Sequence, residues 1–153
     1  MKTVAESKTE SVFLVLSQHI NGSGRLFGGT LLQWIDTVGA VVARRHCGGE
    51  VTTAAIDNLQ FVKGVTINST VVMQGKITHV GRTSMEVCVE TYVEDMGGGR
   101  SLVNKAYIVF VAVKDGKPTE VPGLLVCSQE EYEENENGKR RQELRNRHRK
   151  GEF

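Results

Sequence analysis

Apolar residues along the chain follow two different periods. Glu10 to Leu16 (ESVFLVL) reads as a first strand. From Gly29 to about His46 the apolar positions Leu31, Leu32, Ile35, Val38, Gly39, Val42 and Ala43 recur at three- and four-residue spacing, which predicts one long helix. The run Cys47-Gly48-Gly49 supplies the glycines at which a left-handed cap would end it. After that the period falls to two. Val51 to Val62, Thr70 to Thr78, Ser84 to Glu94 and Leu102 to Val113 are four predicted strands, rich in Val, Ile, Thr and Tyr. KGVTINS, HVGR and EDMGGGR separate them as turns, and Asp115-Gly116-Lys117-Pro118 closes the last. Ser128-Gln129-Glu130-Glu131 has the form of a capping box, so a helix is expected from Ser128.

The order is thus strand, long helix, four consecutive strands and a charged terminal helix. A lone apolar helix must bury its apolar side against the sheet, which makes the class α+β. An antiparallel sheet wrapped around one long central helix is the hotdog arrangement; on pattern alone a ferredoxin-like split or another α+β layering stays open. A single domain over 1–127 and a charged tail over 128–153, helical or partly disordered, is the expected organisation.

Composition adds limits. A chain of 153 residues with 39% hydrophobic and 24% charged content can build a core without a disulfide or metal staple. The three cysteines, Cys47, Cys88 and Cys127, are odd in number and widely spaced, which suits reduced thiols in the cytoplasm and no zinc site. His19, His46, His79 and His148 show no metal-ligand spacing, so no metal is expected. No signal peptide or run of roughly 20 apolar residues for a membrane span is present. From Lys139 to Lys150 seven basic residues face one acid, Glu143. Such a run can bind anionic surfaces, but a solvated extension whose acidic first half pairs with its basic second half is the reading preferred here, with no specific nucleic-acid partner.

The stretch His19 to Asp36, HINGSGRLFGGTLLQWID, carries the candidate chemistry. Gly28 and Gly29 stand where the first free N–H groups of the helix point, so a ligand oxygen could approach those donors closely. With a thioester carbonyl as ligand, they would stabilise the oxyanion of acyl transfer, an interaction worth ~3–4 kcal/mol per donor in the transition state. The same glycines also suit tight helix–sheet packing. Asp36 lies two turns into the helix, on a face shared with Leu32 and beside Ile35 and Gly39. It reads as a general base, a nucleophile, or a structural acid bonded to a nearby loop. The amide of Asn21 could orient a water or a carbonyl, or close an Asx-turn before Gly22.

Asn21, Gly24, Leu26, Phe27, Gly28, Gly29, Leu32, Trp34, Ile35 and Asp36 together resemble the acyl-CoA hydrolases of the hotdog superfamily. These include the bacterial broad-range acyl-CoA thioesterases and the brain-type cytosolic acyl-CoA hydrolase. The likeness continues through Ala43 to Gly49, Asp57 to Gly64, His79 to Glu90 and Tyr107 to Val113, and covers roughly residues 10 to 125. It implies that Asn21 and Asp36 are the catalytic pair and that a backbone N–H at Gly28 or Gly29 polarises the thioester carbonyl. It implies that the turn Val80 to Ser84, with Gly81, Arg82, Thr83 and Ser84, binds coenzyme A. It also implies a site assembled between two subunits of a double-hotdog dimer, often grouped as a trimer of dimers.

Arg82 and Lys63 lie in turns beside Gly81 and Gly64, where a cation can reach coenzyme A phosphates. The expected reaction is hydrolysis of acyl-CoA to free fatty acid and coenzyme A, with no cofactor beyond the substrate itself. The alternative is a noncatalytic acyl-CoA-sensing hotdog module, disfavoured because about ten residues precede the first strand, too few for a DNA-binding unit. A hotdog hydratase would need a His/Glu pair that the site segment lacks. Asp57, next to Asn58, is a second acid–amide pair and a rival for Asp36. Gly97-Gly98-Gly99 has no helix pattern after it and reads as a loop.

Overall fold

The computed structural model describes residues 1–57, 59–61 and 63–151. In chain order the elements are β1 (Lys2–Thr3), α1 (Val4–Ser7), β2 (Thr9–Leu14), a 3-10 turn (Ser17–His19), α2 (Gly28–Cys47), β3 (Glu50–Asp57), β4 (Thr70–Val80), β5 (Ser84–Glu94), β6 (Arg100–Lys114), β7 (Lys117–Pro118), β8 (Leu124–Leu125) and α3 (Gln129–Arg149). The main sheet is antiparallel in the order β2-β4-β5-β6-β3, with β7 paired to β6, while β1 pairs with β8 in a separate parallel ribbon. The sheet curls around α2, as the hotdog expectation requires.

Alternation along the strands builds the core. Val71, Met73 and Ile77 of β4, Met85, Val87 and Val89 of β5, and Ala106, Ile108 and Phe110 of β6 turn inward against α2. From the helix come Leu31, Ile35, Val38 and Val42, one stripe at helical spacing. Two missing side chains let helix and sheet approach. A Cβ on Gly39 would stand 3.0 Å from both Ile108 and Phe110, and one on Gly75 of β4 would stand 2.8 Å from Val42. Gly48 closes α2 in the left-handed conformation at φ 71°, its N–H donating to the Arg44 carbonyl.

Three expectations need correction. The strand anticipated over Val51 to Val62 ends at Asp57, and Leu59–Phe61 leaves the sheet toward the start of α2; Asn58 and Val62 lie outside the described residues. Asn104 of β6 holds this departing segment, donating to the Gln60 carbonyl at 2.5 Å. Leu32 is only half-buried, whereas His46 is fully buried and bonds the Pro122 carbonyl through Nε2 at 2.7 Å.

The tail, finally, does not pair its two halves in solvent. Residues 129–149 form one helix on the outer face of the sheet, opposite α2. Ser128 caps it by accepting from the Glu131 N–H at 3.1 Å, and the Glu131 carboxylate accepts from the Cys127 N–H. The glycine triplet lies in the β5–β6 turn, where the Asp95 carboxylate accepts from the Gly97 and Gly99 N–H groups, both at 2.9 Å. No helix of the described chain is long and apolar enough to cross a membrane. Cys88 sits fully buried on the outer face beneath α3, and burial pushes its thiol pKa up to about 12.

Candidate active site

The segment before α2 is pinned by aromatic packing. Trp34 stacks on Phe13 of β2 at 4.3 Å between centroids, and the His19 ring meets the Trp34 edge at 5.0 Å. His19 Nδ1 accepts from the Leu16 N–H at 3.0 Å, and the His19 carbonyl accepts from the Phe27 N–H at 2.8 Å. These contacts seat the polar loop from Asn21 to Gly24 beside the helix start. Within it, Asn21 Oδ1 accepts from the Ser23 and Arg25 N–H groups at 2.9 and 3.2 Å. The Asx-turn expectation is met: the oxygen is committed to the turn, and the Nδ2 donor of this exposed residue makes no hydrogen bond among the described residues.

Helix α2 begins without a side-chain cap. Phe27 is its extended N-cap residue, and its carbonyl accepts from the Thr30 and Leu31 N–H groups at 3.0 and 3.1 Å. The amides of Gly28 and Gly29 find no acceptor among the described residues. The positive end of the helix dipole adds to these two donors. Exposed phenyl rings flank them: a Gly28 Cβ would stand 3.4 Å from Phe61, and a Gly29 Cβ would stand 2.5 Å from the Phe27 ring. Gly28 lines a cavity of about 280 Å³ together with Asn21, Arg25, Phe61 and Lys63.

Asp36 does not line this cavity. It lies eight residues beyond Gly28, about 12 Å along the helix axis, half-buried and facing β3. There its Oδ1 accepts from Thr53 Oγ1 at 2.7 Å. Thr53 sits at a bulge in β3, and Thr52 to Ala54 are exposed along the free edge of the sheet. Within one chain Asn21 and Asp36 are therefore held apart. Thr53 is the residue sequence reasoning missed; its only signal was a hydroxyl in an exposed position of an edge strand.

The residues expected to bind coenzyme A divide between two places. Lys63 lies with Asn21 and Gly28, whereas Arg82, Thr83 and Ser84 line a larger cavity of about 620 Å³ on the outer face of the sheet. Gly81 closes the turn, its N–H donating to the Ser84 carbonyl at 2.8 Å, and a Cβ there would meet Ser84 Oγ at 2.7 Å.

Helix α3 forms the other wall through a buried ionic lock. Glu86 of β5, with a side chain 2% exposed, accepts two bonds from Arg141 at 2.8 and 3.0 Å, one from Thr78 Oγ1 at 2.6 Å, and a further one from Arg145. Burial alone would raise the Glu86 pKa, but the bonds from Arg141, Thr78 and Arg145 outweigh it and hold the carboxyl below its ordinary range. Arg145 also pairs with Asp57, so the rival acid is engaged in docking the helix. Among the described residues no three His, Cys, Asp or Glu side chains gather closely enough to hold a metal.

The family model described as the thioesterase superfamily matches residues 23–99. An uncharacterized acyl-CoA thioester hydrolase of Bacillus subtilis is 36% identical over 82% of this chain and 74% of its own length. An acyl-CoA hydrolase from Staphylococcus aureus, solved with butyryl-coenzyme A, coenzyme A and coenzyme A disulfide, superposes with a TM-score of 0.91 at 32% identity, covering 97% of this chain and 92% of that one. A hexameric acyl-CoA thioesterase without ligand superposes at 0.90 with 34% identity, covering 97% of both chains. The Staphylococcus aureus enzyme has also been solved with alanine in place of an asparagine, of an aspartate fifteen positions later, and of a threonine seventeen positions beyond that. Asn21, Asp36 and Thr53 have the same two spacings.

Proposed function

Because the chain belongs to the thioesterase superfamily, we propose that it hydrolyses acyl-CoA thioesters to a free fatty acid and coenzyme A. One observation carries this reading: the Gly28 and Gly29 amides, without an acceptor among the described residues, stand at the positive end of α2, and Gly28 lines the cavity that Asn21 shares. The thioester carbonyl oxygen docks on these donors, which stabilise the negative charge that develops as the carbonyl carbon is attacked.

Asp36 acts as general base or as nucleophile. As base it takes a proton from water while the water oxygen bonds to the carbonyl carbon; the tetrahedral adduct then expels the coenzyme A thiolate, which is protonated to the thiol. As nucleophile its carboxylate attacks the carbonyl carbon and expels the coenzyme A thiolate, which takes up a proton; water then cleaves the resulting mixed anhydride to the free fatty acid and the Asp36 carboxylate. Thr53 donates to one Asp36 oxygen and so leaves the other for chemistry. Asn21, with its oxygen held in the turn, donates through Nδ2 to the water or to the carbonyl.

The separation of Asn21 from Asp36 supports a site made by two subunits, in which the partner subunit's Asp36 completes the cavity of Asn21 and Gly28 beside the Gly29 amide. The free edge of β3 beside Asp36 suits strand pairing into a double-hotdog dimer, and the likeness to hexameric thioesterases supports a trimer of dimers. Lys63, and the turn carrying Gly81, Arg82, Thr83 and Ser84, bind coenzyme A. The reaction uses no cofactor and takes place in the cytoplasm.

The test is thiol release from an acyl-CoA series of two to eighteen carbons by wild type, Asn21→Ala and Asp36→Ala. Turnover by wild type with loss in both variants supports the assignment; full rate in both variants removes it.

A further inference from the structure

Asn104 of β6 occupies a core position that packing alone would fill with an apolar side chain. It is 1% exposed, faces inward two residues before Ala106, and pairs in register with Thr91 of β5. Its Oδ1 and the neighbouring Thr91 Oγ1 are buried with no hydrogen-bond partner among the described residues. A buried amide satisfied on one side only weakens the fold. Its Nδ2 donates to the Gln60 carbonyl at 2.5 Å, and among the described residues this is the one hydrogen bond that Leu59 to Phe61 make beyond the end of β3. The amide thus sets the course of that segment from inside the sheet.

The segment ends on Phe61. Its side chain is 53% exposed, and its ring stands 3.4 Å from where a Gly28 Cβ would be. Leu26, Leu31, Val65 and Val103 line the same cavity of about 280 Å³, and all four are buried. An exposed ring that shares a cavity with a buried apolar wall gains from an aliphatic chain laid against both.

We infer that Phe61 is an acyl-specificity residue, in contact with the first methylenes beyond the thioester carbonyl, and that Asn104 is a positioning residue that holds it there through Gln60. The inference rests on the thioesterase reading above and names the substrate class of that site: aliphatic acyl groups ahead of acetyl. It also gives the half-satisfied amide in the core a reason to be there.

The experiment measures kcat and KM for acetyl-CoA and octanoyl-CoA with wild type, Phe61→Ala and Asn104→Leu, together with the urea unfolding of each protein. Wild type is expected to favour octanoyl-CoA in kcat/KM. Each methylene laid on an apolar surface is worth about fourfold in binding. In Phe61→Ala the octanoyl preference should therefore fall about tenfold, the loss of about two such contacts, through KM with kcat retained. Asn104→Leu removes the donor and the unpartnered oxygen together while filling similar space, and the carbonyl of exposed Gln60 turns to water. Its urea midpoint should equal or exceed that of wild type, while the octanoyl preference falls about fivefold, a combination that a merely structural role would not give.

An octanoyl-to-acetyl ratio unchanged in Phe61→Ala, or a wild type indifferent to chain length, would overturn the inference. Equal loss of activity toward both substrates in Asn104→Leu, with a lower urea midpoint, would make Asn104 a structural residue and end its positioning role. Hydrolysis of neither thioester by wild type would remove the thioesterase reading and this inference together. Hydrolysis of both, with a ratio that neither variant alters, would remove the specificity assignment alone.

Discussion

Helices α2 and α3 span twenty and twenty-one residues and lie on opposite faces of one sheet, yet they are held by different physics. Helix α2 buries Leu31, Ile35, Val38 and Val42, and each such side chain contributes about 1.5–3 kcal/mol of transfer free energy. Helix α3 buries only Gly138, and its larger apolar side chains, Tyr132 and Leu144, are exposed. It stays because Glu86 gathers Arg141 and Arg145, because Arg141 stacks on Tyr107 at 3.7 Å, and because His79 bonds both Asn135 and Gln142. Gly138 permits the close approach, since a Cβ there would stand 2.6 Å from His79. Apolar docking is additive and tolerant. Ionic docking depends on every partner, because removing one leaves the others buried and uncompensated.

The comparison can be broken most sharply at its two centres. Asp36→Ala, on α2, should lower kcat/KM by about 10³-fold, in the range of a positioned acid–base group, while urea denaturation shows the fold retained. Glu86→Ala, under α3, should cost about 3–5 kcal/mol because Arg141 and Arg145 lose their buried partner, again read by urea denaturation. Ile35→Ala should cost about 2–5 kcal/mol through the cavity it leaves. What separates the helices is the shape of the loss: Ile35→Ala should lower the single unfolding transition, whereas Glu86→Ala should release α3 first, seen as early hydrogen exchange of residues 129–149.

Acid should sharpen the same contrast. The folded pKa of Glu86 is lowered, so its contribution is fully present above the ordinary value of 4.5 and is lost as the pH falls below that through the folded value. Circular dichroism between pH 6 and pH 3 should report partial loss of helix, carried by α3 while α2 persists. The smallest effect is expected at Thr53→Val. Losing one hydrogen bond to Asp36, about 1–1.5 kcal/mol, should reduce kcat roughly tenfold with little change in stability.

Much of the α2 side of the molecule is legible in the sequence. The three- and four-residue spacing locates the helix to within a residue at each end, Gly48 marks its stop, and period two locates the long strands. Asn21, Gly28, Gly29 and Asp36 stand out as chemical residues. Their geometric relation does not. The Asx-turn at Asn21 was among the readings the sequence offered, but nothing in the chain's order indicates that Thr53 reaches Asp36 from a strand edge. Nor does it indicate that Lys63 and Arg82 belong to different cavities. The expectation of a solvated tail fails for the same reason: its arginines find their carboxylates fifty-five and more positions away, on β5 and β3.

By itself, then, the sequence determined what depends on near neighbours: the elements, the inward faces, the turn chemistry and the uncapped glycine start of a helix. These follow from backbone preferences and the pattern of apolar side chains, which act over a few residues. Only the tertiary structure decided which polar groups meet. It placed Asp36 against Thr53 and away from Asn21, and it drew a charged helix onto Glu86. A hydrogen bond or buried ion pair forms wherever folding brings two groups within about 3 Å of each other, and that distance bears no relation to separation along the chain.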